Sequence, residues 1–335
     1  MKWDRWPLQE LLDVRIKDLG LTLDGTWVES CIQQLYAELE KRDIALRPHC
    51  WLSDEWFSPT NVPGIGIPFY LVHPRLIRLE RSMMLEAEGA SRAECMRILR
   101  HEAGHAMQHG YRLHRRPSYQ RLFGMSSTKY PTFYRPKPAS RNYVQHLRAY
   151  YAQAHPEEDY AETFAVWLDP ASNWSTRYAG WPAQRKVAYL DRLMRDIAGR
   201  RPAVSSRREV DPLPQLEKTL REHYLAKREH YGLDHPDFYE SDLGHMFSSA
   251  PEYAQNPSAA RFLRKIRREA RATVASFTDS YQYTIEQLIE KIILRCRDLN
   301  LRLTESEDTT KTDFMVFLTV QTMNYLHSGR HRVAL

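Results

Sequence analysis

The pentapeptide HEAGH lies inside a segment that carries the signals of one long helix. Ser91 followed by Glu94 is a capping box, which starts a helix by satisfying backbone N–H groups of its first turn. In such a helix, His101 and His105 are one turn apart and leave the same face. Gly104 is unfavourable in a helix interior, by about 1 kcal/mol relative to alanine. We therefore predict two imidazoles on one face of a helix that another segment approaches closely.

A second helix is predicted from Pro156, in the stretch PEEDYAETFAVWL. Proline in the first turn, followed by acidic residues, is typical of a helix N-terminus. Glu158 and Glu162 are four residues apart and share a face. Ala161 and Ala165 lie beside them and are small enough to let this helix approach another one. The arrangement predicts two carboxylates that meet the two histidines.

Histidines one turn apart, followed by paired carboxylates, are typical of a zinc site. Glu102 is turned away from the histidines and can reach a water at the metal without binding the metal. The extended pattern HExxHxxGxxH fails, because Gln108 and Tyr111 stand where glycine and histidine are required. His109 is four residues after His105, and its position on the helix is rotated away from that of His101. We therefore interpret it as a histidine at the rim of the site. Of the two carboxylates, one is expected to bind the metal and the other to hold a histidine N–H.

These two stretches, HEAGH and AYYAQAHPEEDYAETFA, resemble the bacterial zinc-binding metallopeptidases of the gluzincin class. The hallmark of that family is HExxH with a later helix reading E-D-[FY]-A-E-T-[FW]-A. The ExxAE arrangement within this helix recurs in the lethal-factor type of zinc protease. The resemblance covers roughly residues 45–170. It implies that Glu158 is the third zinc ligand and that Glu162 supports a ligand histidine. It also implies that Tyr151 steadies the oxyanion, with Tyr150 as the alternative.

The activity that the resemblance implies is zinc-dependent peptide hydrolysis. Three protein ligands, His101, His105 and Glu158, leave a fourth position for water, as in catalytic sites. One catalytic Zn²⁺ would activate this water, and Glu102 would act as the general base and later protonate the leaving amine. The expected partner is a peptide or protein substrate. A strand such as IPFYLVH is predicted to pair with it.

Two alternatives remain open. In the first, the chain is a non-catalytic protein in which zinc stabilises the fold or forms part of a peptide-binding pocket. Glu102 argues against this alternative, because a structural site has no need of a general base. The second is deformylase-like amide hydrolysis, in which a cysteine from an upstream strand is a ligand. Cys95 is on the same helix as the histidines and cannot take that place, and Cys50 has a sequence context that does not match.

Composition and charge limit the class of protein. The chain has 335 residues, of which 42% are hydrophobic and 27% charged, with a net charge of +6. No apolar run reaches the ~18 residues of a membrane span. The N-terminus lacks the apolar region of a secretory signal, and four scattered cysteines without a CxxC pair are typical of a reduced cytoplasmic protein. The basic run RFLRKIRREARA has an apolar stripe at helical spacing, so we expect a solvated helix face rather than a nucleic-acid partner.

The predicted fold is α+β and mostly helical. It comprises a zincin-like metalloprotease domain with a small twisted sheet, followed by a helical C-terminal region. Residues 1–60 are expected to supply the N-terminal helices and the first strand, and residues 61–200 the zincin-like catalytic domain. Residues 201–214 have the composition of a linker, and residues 215–335 that of the helical region. The stretch IPFYLVHPRLIRL has strand composition.

Overall fold

A computed structural model of the chain describes residues 2–131, 133–134, 136–230, 243–278, 280–327 and 333–334. The chain divides into two compact units. Among the residues that the structure describes, the first unit comprises those from 2 to 83 and from 87 to 225, and the second comprises 84–86 and those from 226 to 334. The histidines and glutamates predicted to form a zinc site all belong to the first unit.

The described part of the chain is mostly helical with short strands, which confirms the coarse prediction of a helix-rich α+β chain. Its α-helices are α1 (Leu8–Leu12), α2 (Trp27–Glu40), α3 (Pro74–Met84), α4 (Arg92–Gly110), α5 (Pro117–Phe123), α6 (Pro156–Leu168), α7 (Trp174–Arg177), α8 (Ala183–Ile197), α9 (Leu220–His230), α10 (Ala259–Thr278), α11 (Gln282–Asp298) and α12 (Glu307–His327). The strands are β1 (His49–Ser53), β2 (Gly64–Pro68), β3 (Phe133–Tyr134), β4 (Phe247–Ser248), β5 (Arg302–Leu303) and β6 (Val333–Ala334). None of the helices described is both long and apolar enough to cross a membrane.

The first unit contains a small parallel sheet made of β1 and β2. His49 lies opposite Gly64, and the register continues to the ends of both strands. All of β2 is buried. At its centre, the backbone N–H of Gly66 donates to the carbonyl oxygen of Phe57 at 2.8 Å, and the Gly66 oxygen accepts from the Phe57 N–H at 3.4 Å. Because both groups of Gly66 are engaged, this position is not open to pairing with an extended peptide.

The prediction of a long strand over IPFYLVHPRLIRL was wrong beyond Pro68. After β2 the chain forms a 3-10 helix over Phe69–Val72 and then α3. Pro74 begins α3, where its fixed φ is compatible with the first helical turn. Leu76 and Leu79 are both buried and are three residues apart, which is a helical spacing rather than the alternation of a strand.

Helix α4 is the central helix of the first unit, and nearly all of its residues are buried. Ser91 caps its start by accepting a hydrogen bond from the backbone N–H of Glu94, as the capping box predicts. Helix α6 packs across α4 at Gly104, where a Cβ atom would lie 2.8 Å from the Cα atom of Ala161. The absence of a side chain at Gly104 therefore lets the two helices come close enough for histidine and glutamate side chains to meet.

A buried ion pair joins α2 to α4. Two of the three guanidinium nitrogens of Arg100, Nε and Nη2, donate to the Glu38 carboxylate at 2.8 Å each. A second carboxylate, that of Asp169 just after α6, lies 3.4 Å from the same guanidinium. Removing one partner of a buried pair leaves an uncompensated charge, so these contacts hold the three segments in a fixed arrangement around the histidines.

Residues 201–214 lie within the first unit, where they run beside β1. The indole N–H of Trp51 donates to the Val210 carbonyl oxygen at 2.9 Å. The hydroxyl of Ser53 donates to the Asp211 carbonyl oxygen at 2.8 Å. The segment is therefore attached to the sheet by side chains of β1.

The second unit has its own core, formed by α10, α11 and α12 together with the antiparallel pair β4–β5. The apolar stripe predicted for the basic run is buried in this core and consists of Phe262, Ile266 and Ala270. Among the basic residues, Arg267 forms an ion pair with Glu290 at 2.6 Å and contacts Glu286 as well. Carboxylates of α11 therefore compensate part of the positive charge of α10.

Candidate metal centre

Three side-chain atoms from α4 and α6 converge on one point. His101 Nε2 lies 3.0 Å from Glu158 Oε2, and His105 Nε2 lies 3.2 Å from both of these atoms. All three residues are buried. A metal ion can be held by histidine, cysteine or acidic side chains whose ligand atoms lie close together. Among the described residues, His101, His105 and Glu158 form such a group.

The spacing of these atoms fits zinc. In a tetrahedral site with ligand distances of about 2.0–2.1 Å, the ligand atoms are roughly 3.3–3.4 Å from one another. The three separations of 3.0, 3.2 and 3.2 Å are close to this value. The chemistry of the donor set agrees. If His101 donates its Nδ1 proton to Glu162, its Nε2 carries a lone pair that faces Glu158 Oε2. Two hydrogen-bond acceptors this close repel each other unless a cation lies between them.

Protons compete with a metal for the same atoms. Burial disfavours a charged imidazole, but hydrogen bonds to Glu158 and Glu162 raise the pKa of His101 well above its usual value. Burial also acts to raise the pKa of Glu158, yet the two histidines hold that pKa well below its usual range. Without a metal, the site therefore favours an imidazolium paired with carboxylates, and zinc binding must displace a proton.

Glu162 supports His101 from the other side of the ring. Its Oε1 lies 2.9 Å from His101 Nδ1. Its Oε2 accepts backbone N–H groups of His146 at 3.2 Å and Leu147 at 2.9 Å. A carboxylate that is fully buried and held by three donors fixes the orientation and the tautomer of the histidine that it contacts.

Glu102 is buried beside the convergent atoms. Its Oε2 has no hydrogen-bond partner within the described part of the chain. Burial raises the pKa of Glu102, while the nearby charges of His101 and His105 act in the opposite direction. A buried carboxylate oxygen that is not tied to another group is available to accept a proton.

Tyr151 lies against the first histidine, with its ring centroid 5.6 Å from that of His101. It follows two residues in the left-handed region, Ala149 and Tyr150, which both have a φ of 56°. Such conformations cost on the order of 1–3 kcal/mol each for residues other than glycine. The hydroxyl of Tyr134 donates to the Ala149 carbonyl oxygen at 2.8 Å and so helps to hold this turn. The turn brings Tyr151 to the metal centre.

Tyr130 is a residue of the site that the sequence did not indicate. Its hydroxyl donates to Glu158 Oε1 at 2.8 Å. It lies in the proline-rich and aromatic-rich stretch TKYPTFYRPKPASRN, 28 residues before Glu158. No periodicity or motif relates two positions across such an irregular stretch, so no local signal could have identified it.

The other candidates lie outside the convergent group. His109 is buried with its ring centroid 5.8 Å from that of His114. Burial lowers the pKa of His109 to about 4, with smaller contributions from its histidine neighbours. The sulfur of Cys50 lies 3.6 Å from the Pro48 carbonyl oxygen. Neither side chain belongs to the group that could hold the metal.

The geometry can now be compared with known proteins. Residues 91–190 match the model of a family described as "Putative zinc-binding metallo-peptidase". The matched residues include α4, α6 and the whole convergent group. The comparisons with curated proteins and with solved structures gave no match. The match supports this family for the segment that contains the candidate metal centre.

Proposed function

We propose that the chain is a zinc metallopeptidase of the gluzincin class, in which His101, His105 and Glu158 hold one catalytic Zn²⁺. The observation that carries the proposal is the convergence of their ligand atoms within 3.0–3.2 Å of one another. The family match over residues 91–190 supports it independently. Glu102 gives the site a group with no role in a purely structural zinc centre.

The proposed mechanism assigns proton transfer to the chain itself. Zinc held in such a site acts as a Lewis acid, which acidifies a water molecule and polarises a carbonyl group. Glu102 accepts the proton of the attacking water and later passes it to the leaving amine. Because the pKa of Glu102 is raised, its carboxylate is a stronger base than an exposed glutamate.

Two other side chains are assigned supporting roles. Tyr151 donates its phenolic hydrogen to the carbonyl oxygen as that oxygen gains negative charge, a contribution typically of about 3–4 kcal/mol in oxyanion sites. Glu162 keeps His101 in the orientation in which Nε2 faces the metal. The substrate we propose is a peptide or protein, and the fold around the site is proposed to be zincin-like, with the chain acting in the cytoplasm.

The change Glu102→Gln tests the mechanism. Glutamine has nearly the same shape but cannot accept the proton, so kcat/KM should fall by about 10²–10⁴. Hydrolysis of casein or of a peptide library is the assay, and elemental analysis should show unchanged zinc. The control is Glu94→Gln, which removes a carboxylate from the first turn of the same helix.

Full activity in the Glu102→Gln variant would contradict the assigned role of Glu102. A wild-type protein that holds zinc and hydrolyses none of these substrates would instead favour the non-catalytic alternative, a peptide-binding protein that zinc stabilises. The two outcomes are distinguishable because zinc content and hydrolysis are measured on the same samples.

A further inference from the structure

The two carboxylate oxygens of Glu158 have different partners. Oε2 faces the Nε2 atoms of His101 and His105. Oε1 accepts the hydrogen bond from the Tyr130 hydroxyl at 2.8 Å. In metal sites, a ligand's second polar atom is commonly held by an outer hydrogen-bond partner, which orients the ligand. For Glu158, that partner is Tyr130.

Tyr130 is held in place by stacking on His155. Their ring centroids are 3.7 Å apart, with an angle of 20° between the planes. His155 Nδ1 accepts the backbone N–H of Glu157 and so caps α6. Its Nε2 donates to the Thr128 carbonyl oxygen at 2.8 Å. These two bonds require the neutral tautomer with hydrogen on Nε2, and they attach Tyr130 to the helix end that carries Glu158.

The Tyr130 hydroxyl has one hydrogen and two neighbouring carboxylates. Glu157 Oε2 is the more distant one, at 3.3 Å. Glu157 also accepts from the side-chain amide of Gln108 at 2.6 Å through its other oxygen. Since Glu158 Oε1 is closer and has no other side-chain donor in the described part of the chain, it is the main acceptor.

We propose that Tyr130 is a positioning residue of the metal centre. By donating to Glu158 Oε1, it keeps that oxygen turned away and presents Oε2 to the metal together with the two histidines. The inference rests on the metal site of the proposed function, but not on peptide hydrolysis. Without the hydroxyl, the Glu158 carboxylate is free to rotate. The entropy lost when the metal orders this carboxylate then weakens metal binding.

The test is Tyr130→Phe, which removes the hydroxyl and keeps the ring that stacks on His155. The dissociation constant for zinc, measured by competition with a chromophoric chelator, should rise by about 10–100-fold. The visible absorption of the cobalt(II)-substituted protein should change as well, because it reports how the carboxylate coordinates. The matched control is Tyr111→Phe. It loses a tyrosine hydrogen bond of similar length, 2.9 Å, to the backbone oxygen of Arg200, away from the convergent ligand atoms.

The control should bind zinc as wild type does and keep the wild-type cobalt spectrum. The inference is overturned if Tyr130→Phe retains both the wild-type affinity and the wild-type spectrum. It is equally overturned if the two variants lose affinity to the same extent, because the general loss of a tyrosine hydrogen bond, rather than of the bond to Glu158, would then be responsible. A wild-type chain that binds neither zinc nor cobalt would remove the metal centre itself and the proposed function with it.

Discussion

Replacing Gly104 with valine should destabilise the first unit by about 3 kcal/mol or more and abolish zinc binding. A Cβ atom at this position would lie 2.8 Å from the Cα atom and 3.1 Å from the carbonyl oxygen of Ala161. These are backbone atoms of α6, which cannot rotate away as a side chain can. Helices α4 and α6 would have to separate, and the histidines would move away from Glu158. Denaturant unfolding and zinc content measure the two effects.

Alanine substitutions at the two glycines of α4 provide the control. At Gly110 the nearest atom to a new Cβ is the tip of the Leu46 side chain, at 2.8 Å, and this atom can move. Gly110→Ala should therefore change the free energy of unfolding by less than about 1 kcal/mol. Gly104→Ala gains similar helix propensity but meets backbone, and it should be clearly destabilising. A Gly104→Val variant that unfolds at the wild-type denaturant concentration and binds zinc would show that the close contact does not build the site.

The helices that build the site were predictable because their signals are local. Ser91 and Glu94 mark where α4 begins, and Pro156 marks the start of α6. The glycine at 104 and the alanine at 161 indicated that two segments approach closely, and the structure joins these two positions. Spacing on a helix face and the need for small residues at a contact are both properties that a sequence displays directly.

Some features of the fold depend on properties that residue composition does not encode. The apolar run after β2 looks like a strand, but Pro74 and the spacing of the buried leucines make it helical. The segment 201–214 has the composition of a linker, and that assignment stays a prediction; what composition does not show is that Trp51 and Ser53 donate hydrogen bonds to its backbone carbonyl groups. Hydrogen bonds between a side chain and the backbone of a distant segment cannot be predicted from residue composition.

The aromatic residues of the site illustrate the same limit. The resemblance named Tyr151, with Tyr150 as the alternative, but the turn that places the Tyr151 ring beside His101 contains two consecutive left-handed residues, one of which is Tyr150 itself. Neither residue is a glycine or an asparagine, so the residue types do not predict a left-handed turn here. Tyr130 reaches Glu158 across an irregular loop, where no periodic pattern relates the two positions. Tertiary contacts of loops become visible only in the structure.

Replacing Glu158 with alanine should remove zinc binding and, with it, peptide hydrolysis. The change deletes one of the three proposed ligand atoms, the carboxylate oxygen that lies against the Nε2 atoms of both His101 and His105. Loss of a ligand should exceed the roughly 10–100-fold weakening that is typical of changes to outer hydrogen-bond partners. The matched control is Glu157→Ala, which removes the adjacent carboxylate of the same helical turn. That carboxylate binds Gln108 and does not face the two histidines.

Elemental analysis of zinc per chain is the most direct test of the metal centre. Wild type, Glu158→Ala and Glu157→Ala would be purified side by side under metal-controlled conditions. The account predicts about one zinc per chain in wild type and in the Glu157→Ala control, as for a site with a single tetrahedral ion, and none in Glu158→Ala. Zinc that persists at the wild-type level in Glu158→Ala, or a wild-type protein that never holds zinc, would contradict it.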